Sequence, residues 1–234
     1  ILSKHPTNCD ALCFRGFLQI ARGDSELAAA DFQKAIDSAP HALWPIYGLS
    51  VAKREAGDYA EALSLLDTVL KIDPSHEASL FDRARLLATR NDLQAASHDL
   101  NAILESDPTS LPALLSRARL NLHLGNLDEA RRDFNAVLKQ DPESTEALIG
   151  RSVLAERSGE LFFAEQDLQK ANEINPEDTD GIEIARLLMQ ATIAHQNERF
   201  EDAVAACSQA LEIHPEHVIA RLERARAFWY SDSF

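Results

Sequence analysis

The sequence predicts an all-α chain, an α-solenoid of stacked antiparallel helix pairs. Three observations predict it. Prolines fall at Pro6, Pro40, Pro74, Pro108, Pro142 and Pro176, each 34 residues after the last, with one more at Pro215 after a step of 39. A repeat of that length holds one helix–turn–helix unit. Several columns agree in that period, above all an unbroken column of alanine. Alanine and leucine dominate while β-branched residues are modest, which favours helix.

Numbering each unit so that proline takes position 32 exposes the columns. Position 20 is Ala28, Ala62, Ala96, Ala130, Ala164 and Ala203. Position 8 is small throughout: Gly16, Ser50, Ala84, Ala118, Ser152, Ala191 and Ala225. Small side chains there let two helices approach closely. Position 24 (Phe32, Leu66, Leu100, Phe134, Leu168, Cys207) and position 27 (Ala35, Val69, Ile103, Val137, Ala171, Ala210) are apolar. Their spacing puts them on one buried helix face. Position 15 is Gly23, Gly57, Asn91, Gly125, Gly159 and, as the exception, Glu198. Glycine and asparagine tolerate the left-handed conformation that ends a helix. Ser75, Ser110, Ser144 and Asp178 lie where they could cap the following helix.

These columns run over nearly the whole chain, and together they resemble the tetratricopeptide repeat family. The resemblance implies a right-handed superhelix with the first helix of each unit on the concave side. Two columns depart from the family pattern. Its aromatic at position 4 is Leu12, Ile46, Leu80, Leu114, Leu148 and Leu187 here, and position 7, often leucine, is mostly arginine. The expected organisation is one solenoid over 1–234. Full repeats occupy 9–42, 43–76, 77–110, 111–144, 145–178 and 184–217. Residues 1–8 match the end of a cut repeat and 218–234 the first helix of another. Both ends therefore read as cut within a unit, leaving Phe228 and Trp229 exposed and suggesting a larger protein. Five inserted residues, 179–183, either lengthen a first helix that runs to Gln196 or form a kink or binding insertion.

Position 7 is Arg15, Leu49, Arg83, Arg117, Arg151 and Gln190; position 23 is Asp31, Leu65, Asp99, Asp133, Asp167 and Ala206. Arginine and aspartate occur together four times and are absent together twice. The pattern predicts an Arg–Asp ion pair linking the helices of a hairpin or of adjacent hairpins, since the planar guanidinium meets a carboxylate with two bonds. Shared ancestry of the repeats without contact is the alternative.

The chain carries 23 basic and 38 acidic residues, a net charge of −15. That balance opposes nucleic acid and anionic membranes as partners. No apolar run approaches the ~20 residues that span a bilayer. Three cysteines (Cys9, Cys13, Cys207) cannot all pair, which fits either a reducing compartment such as the cytoplasm or simply buried thiols. Cys9 and Cys13 lie one helical turn apart with His5 before them, short of the three or four convergent ligands a metal needs. Cys13 reads instead as a small hydrophobe. His41, His76, His214 and His217 read as solvated turn residues. No phosphate-loop, dinucleotide, nucleophile-elbow or zinc-protease motif is present. The chain is therefore read as non-catalytic and without a cofactor.

In the family that it resembles, groove contacts come mainly from positions 2, 5, 6, 9, 12 and 13. Carried onto this sequence, they give Phe14, Phe17, Trp44, Tyr47, Phe81, Arg85, Leu115, Arg119, Ile149, Val153 and Leu188. The position-5 residues among them line a groove or belong partly to the core. Arg85 and Arg119 would pair carboxylates, so the expected partner is a protein or peptide segment, apolar with some acidic character. The carboxylate clamp of chaperone-binding relatives does not fit. Starting at the first unit its sites hold Cys13, Phe17, Gly48, Ala78 and Asp82; starting at the third they hold Phe81, Arg85, Ser116, Glu146 and Gly150. The asparagine ladder of sugar-transferring relatives is also missing from position 6. The function expected is an interaction scaffold. The alternative is the recruiting arm of an enzyme whose catalytic domain lies elsewhere.

Overall fold

The computed structural model describes residues 7–175 and 179–231. Readings that rest on His5, on the segment before Thr7 and on Asp178 as a cap lie outside those residues. Among the described residues there are thirteen α-helices and no strand. They are α1 (Cys9–Ala21), α2 (Ser25–Ser38), α3 (Leu43–Glu55), α4 (Tyr59–Ile72), α5 (Glu77–Thr89), α6 (Leu93–Ser106) and α7 (Leu111–Leu124). There follow α8 (Leu127–Gln140), α9 (Thr145–Arg157), α10 (Leu161–Ile174), α11 (Thr179–Gln196), α12 (Phe200–Ile213) and α13 (Val218–Ser231). The chain divides into two compact units, Ile1–Ala113 and Leu114–Phe234. In the first, α1 packs on α2 and α3, and each later helix up to α6 packs on its predecessor. In the second, α8 to α13 pack in sequence, and α11 also touches α9 and α13.

Local chemistry starts and stops the helices. Asn8, Asp58, Asp92 and Ser144 each accept the backbone N–H three residues on, satisfying a donor that the first turn leaves orphaned. For α5 the cap is His76 rather than Ser75: His76 Nδ1 accepts from Ser79 N at 3.2 Å, while the Ser75 hydroxyl donates to Asp73. His217 caps α13 in the same way, through Ala220 N. Two of the turn histidines thus do structural work. At the other end, Asp24 N reaches back to Gln19 O, and Asp58 N to Lys53 O, both at 2.9 Å. That wrap requires a left-handed residue between, supplied by Gly23 (φ 84°) and Gly57 (φ 82°). Asn91 (φ 62°) and Glu198 (φ 60°) take the same conformation, so the glutamate that breaks the glycine column keeps its geometry.

The alanine column is buried from Ala28 to Ala203, and Phe32 and Phe134 are wholly enclosed. A Cβ on Gly48 would lie 2.2 Å from Phe32 Cε1, and one on Gly150 would lie 2.4 Å from Phe134 Cε1. Each phenylalanine therefore needs a glycine on the next first helix. α11 spans 18 residues where the other helices span 13 or 14, so the run from Thr179 to Gln196 is continuous helix.

Candidate binding faces

Four arginines on first helices meet aspartates sixteen residues on. Arg15 Nε donates to Asp31 Oδ2 at 2.5 Å and Nη2 to Oδ1 at 2.6 Å. The corresponding distances are 2.8 and 2.7 Å for Arg83–Asp99, 2.8 and 2.8 Å for Arg117–Asp133, and 2.7 and 2.7 Å for Arg151–Asp167. All four carboxylates are buried. The remaining nitrogen of Arg83 donates to Asp67 on α4, and that of Arg151 to Asn135 on α8, both at 2.7 Å. One guanidinium thus ties three helices from two consecutive hairpins. The bond to Asp99 first, and then the bond to Asp67, hold the Arg83 guanidinium more firmly protonated than usual, against the cost of burial. In the second repeat Leu49 and Leu65 take these places and pack into the cluster around Phe32.

Within the first unit, α1, α3 and α5 present an aromatic shelf. Phe14 and Trp44 are 66% and 51% exposed. Phe17 lies beneath, 4.9 Å from both the Phe32 and Trp44 rings, so it couples the shelf to the core. Phe81 is half-buried. Tyr47 is half-buried too, and its hydroxyl donates to Asp82 Oδ2 at 3.0 Å. Burial, and next the Asp82 charge and bond, push that hydroxyl up to about 12. The Asp82 carboxylate also receives Arg54 Nη1 at 2.5 Å and Arg85 Nη2 at 3.2 Å. A buried carboxylate with three donors is fully satisfied. Arg85 is consequently not a vacant cation awaiting a partner.

Within the second unit Arg119 lies 3.3 Å from Glu146, both half or more exposed. It too has a carboxylate of its own chain. Leu115, Ile149 and Val153 are half-buried. Leu188 is 5% exposed and belongs to the core cluster with Ile184, Leu187 and Ala220. It can form the floor of a recess but offers little surface. A cavity of ≈ 290 Å³ opens among α9, α11 and α13, lined by Val153, Glu156, Arg157, Leu188, Thr192, His195, Ile219, Glu223 and Arg226. Thr192 Oγ1 donates to Glu156 Oε1. Burial, with the Glu223 charge behind it, raises the Glu156 carboxyl above the usual range, against the Thr192 bond and Arg157.

Other sites carry little chemistry. Burial first, and Cys9 beside it, push the Cys13 thiol up to about 12; burial and Glu223 push Cys207 to about 11. Such thiols are poor nucleophiles. Among the described residues no group of three or more His, Cys, Asp or Glu is placed to hold a metal ion. No helix among them is long and apolar enough to cross a membrane.

Sequence models of the tetratricopeptide repeat match residues 19–79, 53–120 and 87–149, and another matches 188–231. The chain belongs to the tetratricopeptide repeat family. Solved structures agree on the fold. A tetratricopeptide repeat protein from Parabacteroides merdae superposes with a TM-score of 0.68 at 22% identity, over 97% of this chain and 88% of that one. Pseudomonas aeruginosa PilF gives 0.70 at 17%, over 93% and 95%. YrrB, a tetratricopeptide repeat protein with an unusual peptide-binding site, gives 0.65 at 20%, over 79% and 95%. No functionally curated protein matches the sequence. Tetratricopeptide repeat proteins generally mediate protein–protein interaction and are typically non-catalytic.

Proposed function

We propose that this tetratricopeptide repeat chain is a non-catalytic interaction scaffold whose first-helix faces hold an extended segment or short helix of a partner protein. The aromatic shelf of the first unit carries the reading. Phe14 and Trp44 are large and exposed, and Trp44 is backed by Phe17, which is the construction expected of anchoring residues at an interface. The second unit, taken by itself, offers apolar contact at Ile149 and Val153. YrrB's peptide-binding site supports the class of ligand. An acidic partner group would have to compete with Asp82 for Arg85 and with Glu146 for Arg119, so apolar contact is the larger contribution. Recruitment on behalf of an enzyme elsewhere in a longer chain would use the same faces.

Panning a random twelve-residue peptide library against the chain tests this. Selected peptides should share an apolar or aromatic anchor, and Phe14→Ala with Trp44→Ala should weaken them tenfold or more. Selection of peptides indifferent to both substitutions would remove the shelf as the binding face.

A further inference from the structure

The cavity among α9, α11 and α13 pairs an apolar wall with a carboxylate to which no cation among the described residues is bonded. Val153, Leu188 and Ile219 form the wall. Glu156 takes one hydrogen bond, from the neutral Thr192 hydroxyl, and among the described residues no cation donates to it. Arg157, next in sequence, also lines the cavity, but its guanidinium donates to the Leu122 carbonyl at 2.7 Å and not to Glu156. Arg226 is more exposed and sits 3.7 Å from Glu223. The buried charge is thus negative and the accessible charge positive. A carboxylate withdrawn from water without a counter-ion is costly, and a second carboxylate on the same cavity adds to the cost. Those features ask for a cation that arrives from outside.

The volume narrows the choice. At ≈ 290 Å³ the cavity lies at the lower edge of the ~300–1,000 Å³ typical of drug-sized ligands. One long side chain fits it. Lysine and arginine carry methylenes that suit the apolar wall and a charged head that suits Glu156 and Glu223. An anion would meet both carboxylates, and a neutral aliphatic chain would leave Glu156 uncompensated. A net charge of −15 also favours a basic partner. We infer that this cavity receives a lysine or arginine side chain of a partner segment held on the second unit, its head between Glu156 and Glu223 and its stem against Val153, Leu188 and Ile219. The inference rests on the proposed peptide binding and adds to it a basic residue where the sequence suggested acidic character.

The test pans the same twelve-residue library against the wild type, a Glu156→Gln/Glu223→Gln variant and a Phe14→Ala/Trp44→Ala variant. Circular dichroism checks that each is folded; glutamine is isosteric and relieves buried charge, so the first variant should fold. Wild type should enrich lysine or arginine. The glutamine variant should lose that enrichment yet keep the apolar one. Replacing the enriched lysine by norleucine should weaken wild-type binding roughly ten- to hundredfold and leave the glutamine variant unaffected. Equal cation enrichment by wild type and glutamine variant, or none in either, overturns the inference while the apolar selection still stands. A wild type that selects no peptide overturns both readings.

Discussion

Replacing Arg83 by alanine should destabilise the first unit far more than its half-surface position suggests. The Asp99 side chain is 2% exposed and Arg83 24%. Removing the arginine strands a buried carboxylate, which typically costs about 3–5 kcal/mol. Asp99→Ala should cost less, about 2 kcal/mol, because Arg83 keeps its 2.7 Å bond to Asp67 and part of its hydration. The double variant should cost no more than Arg83→Ala alone, so the coupling energy is about 2 kcal/mol. Repeat arrays depart from two-state unfolding, so the probe must be local. Trp44 lies in the first unit and Trp229 in the second; in a Trp229→Phe background, urea titration of Trp44 fluorescence follows the first unit. Arg119→Ala with Glu146→Ala is the exposed control; it lies in the second unit, so it is followed through Trp229 in a Trp44→Phe background, and it is expected to couple by less than ~1 kcal/mol. Equal coupling in the two cycles, or none for Arg83 and Asp99, would show that burial does not strengthen the repeated pair.

Three further outcomes are expected. Gly48→Ala should destabilise by about 1–3 kcal/mol in the same titration, because the new methyl group collides with the enclosed Phe32 ring; Phe32→Leu in that background should recover part of the loss. Glu198→Gly should stabilise the second unit by up to ~1 kcal/mol, since a left-handed residue with a Cβ is strained at φ 60°; no gain by thermal melting followed through Trp229 would contradict the strain. Glu156→Gln should stabilise at neutral pH but not in acid. Burial raises the folded pKa of Glu156 above the ordinary 4.5, so the folded chain holds the proton longer than the unfolded one. Wild-type stability therefore falls as pH rises from 4.5 through the raised value, and the glutamine variant escapes that fall. Parallel melting-temperature profiles for the two proteins would refute it.

Helix pairing was legible in the sequence because each hairpin buries its surface against its neighbours, so every copy repeats the same demand. Ala28 to Ala203 and the left-handed residues from Gly23 to Asn91 follow directly from that. The Arg–Asp columns were readable for the same reason: four copies varied together. The third ligand of the guanidinium, Asp67 for Arg83 and Asn135 for Arg151, was missed because two different residue types serve one role. Phe32 with Gly48, and Phe134 with Gly150, also covary across repeats, a size exchange open to the same comparison. The Asp82 cluster was out of reach. Tyr47, Arg54 and Arg85 converge on it in one place only, so no second copy could signal the contact, and Arg85 read alone looked available. The cap on α5 was misplaced by one residue because serine is the commoner capping type, while His76 supplies its ring nitrogen instead.

The two joints inside the first unit are fastened differently. Between the first and second hairpins Leu49 and Leu65 press into the Phe32 cluster, whereas between the second and third an apolar cluster of Leu63, Leu66 and Leu86 is joined by two ionic ties, Arg83 to Asp67 and Arg54 to Asp82. Asp67 is half exposed, so added electrolyte screens the Arg83–Asp67 tie while leaving the first joint untouched. Brine should thus weaken one vertebra of this spine slightly more than the other, and hydrogen exchange in α5 should quicken with salt more than in α1 to α3.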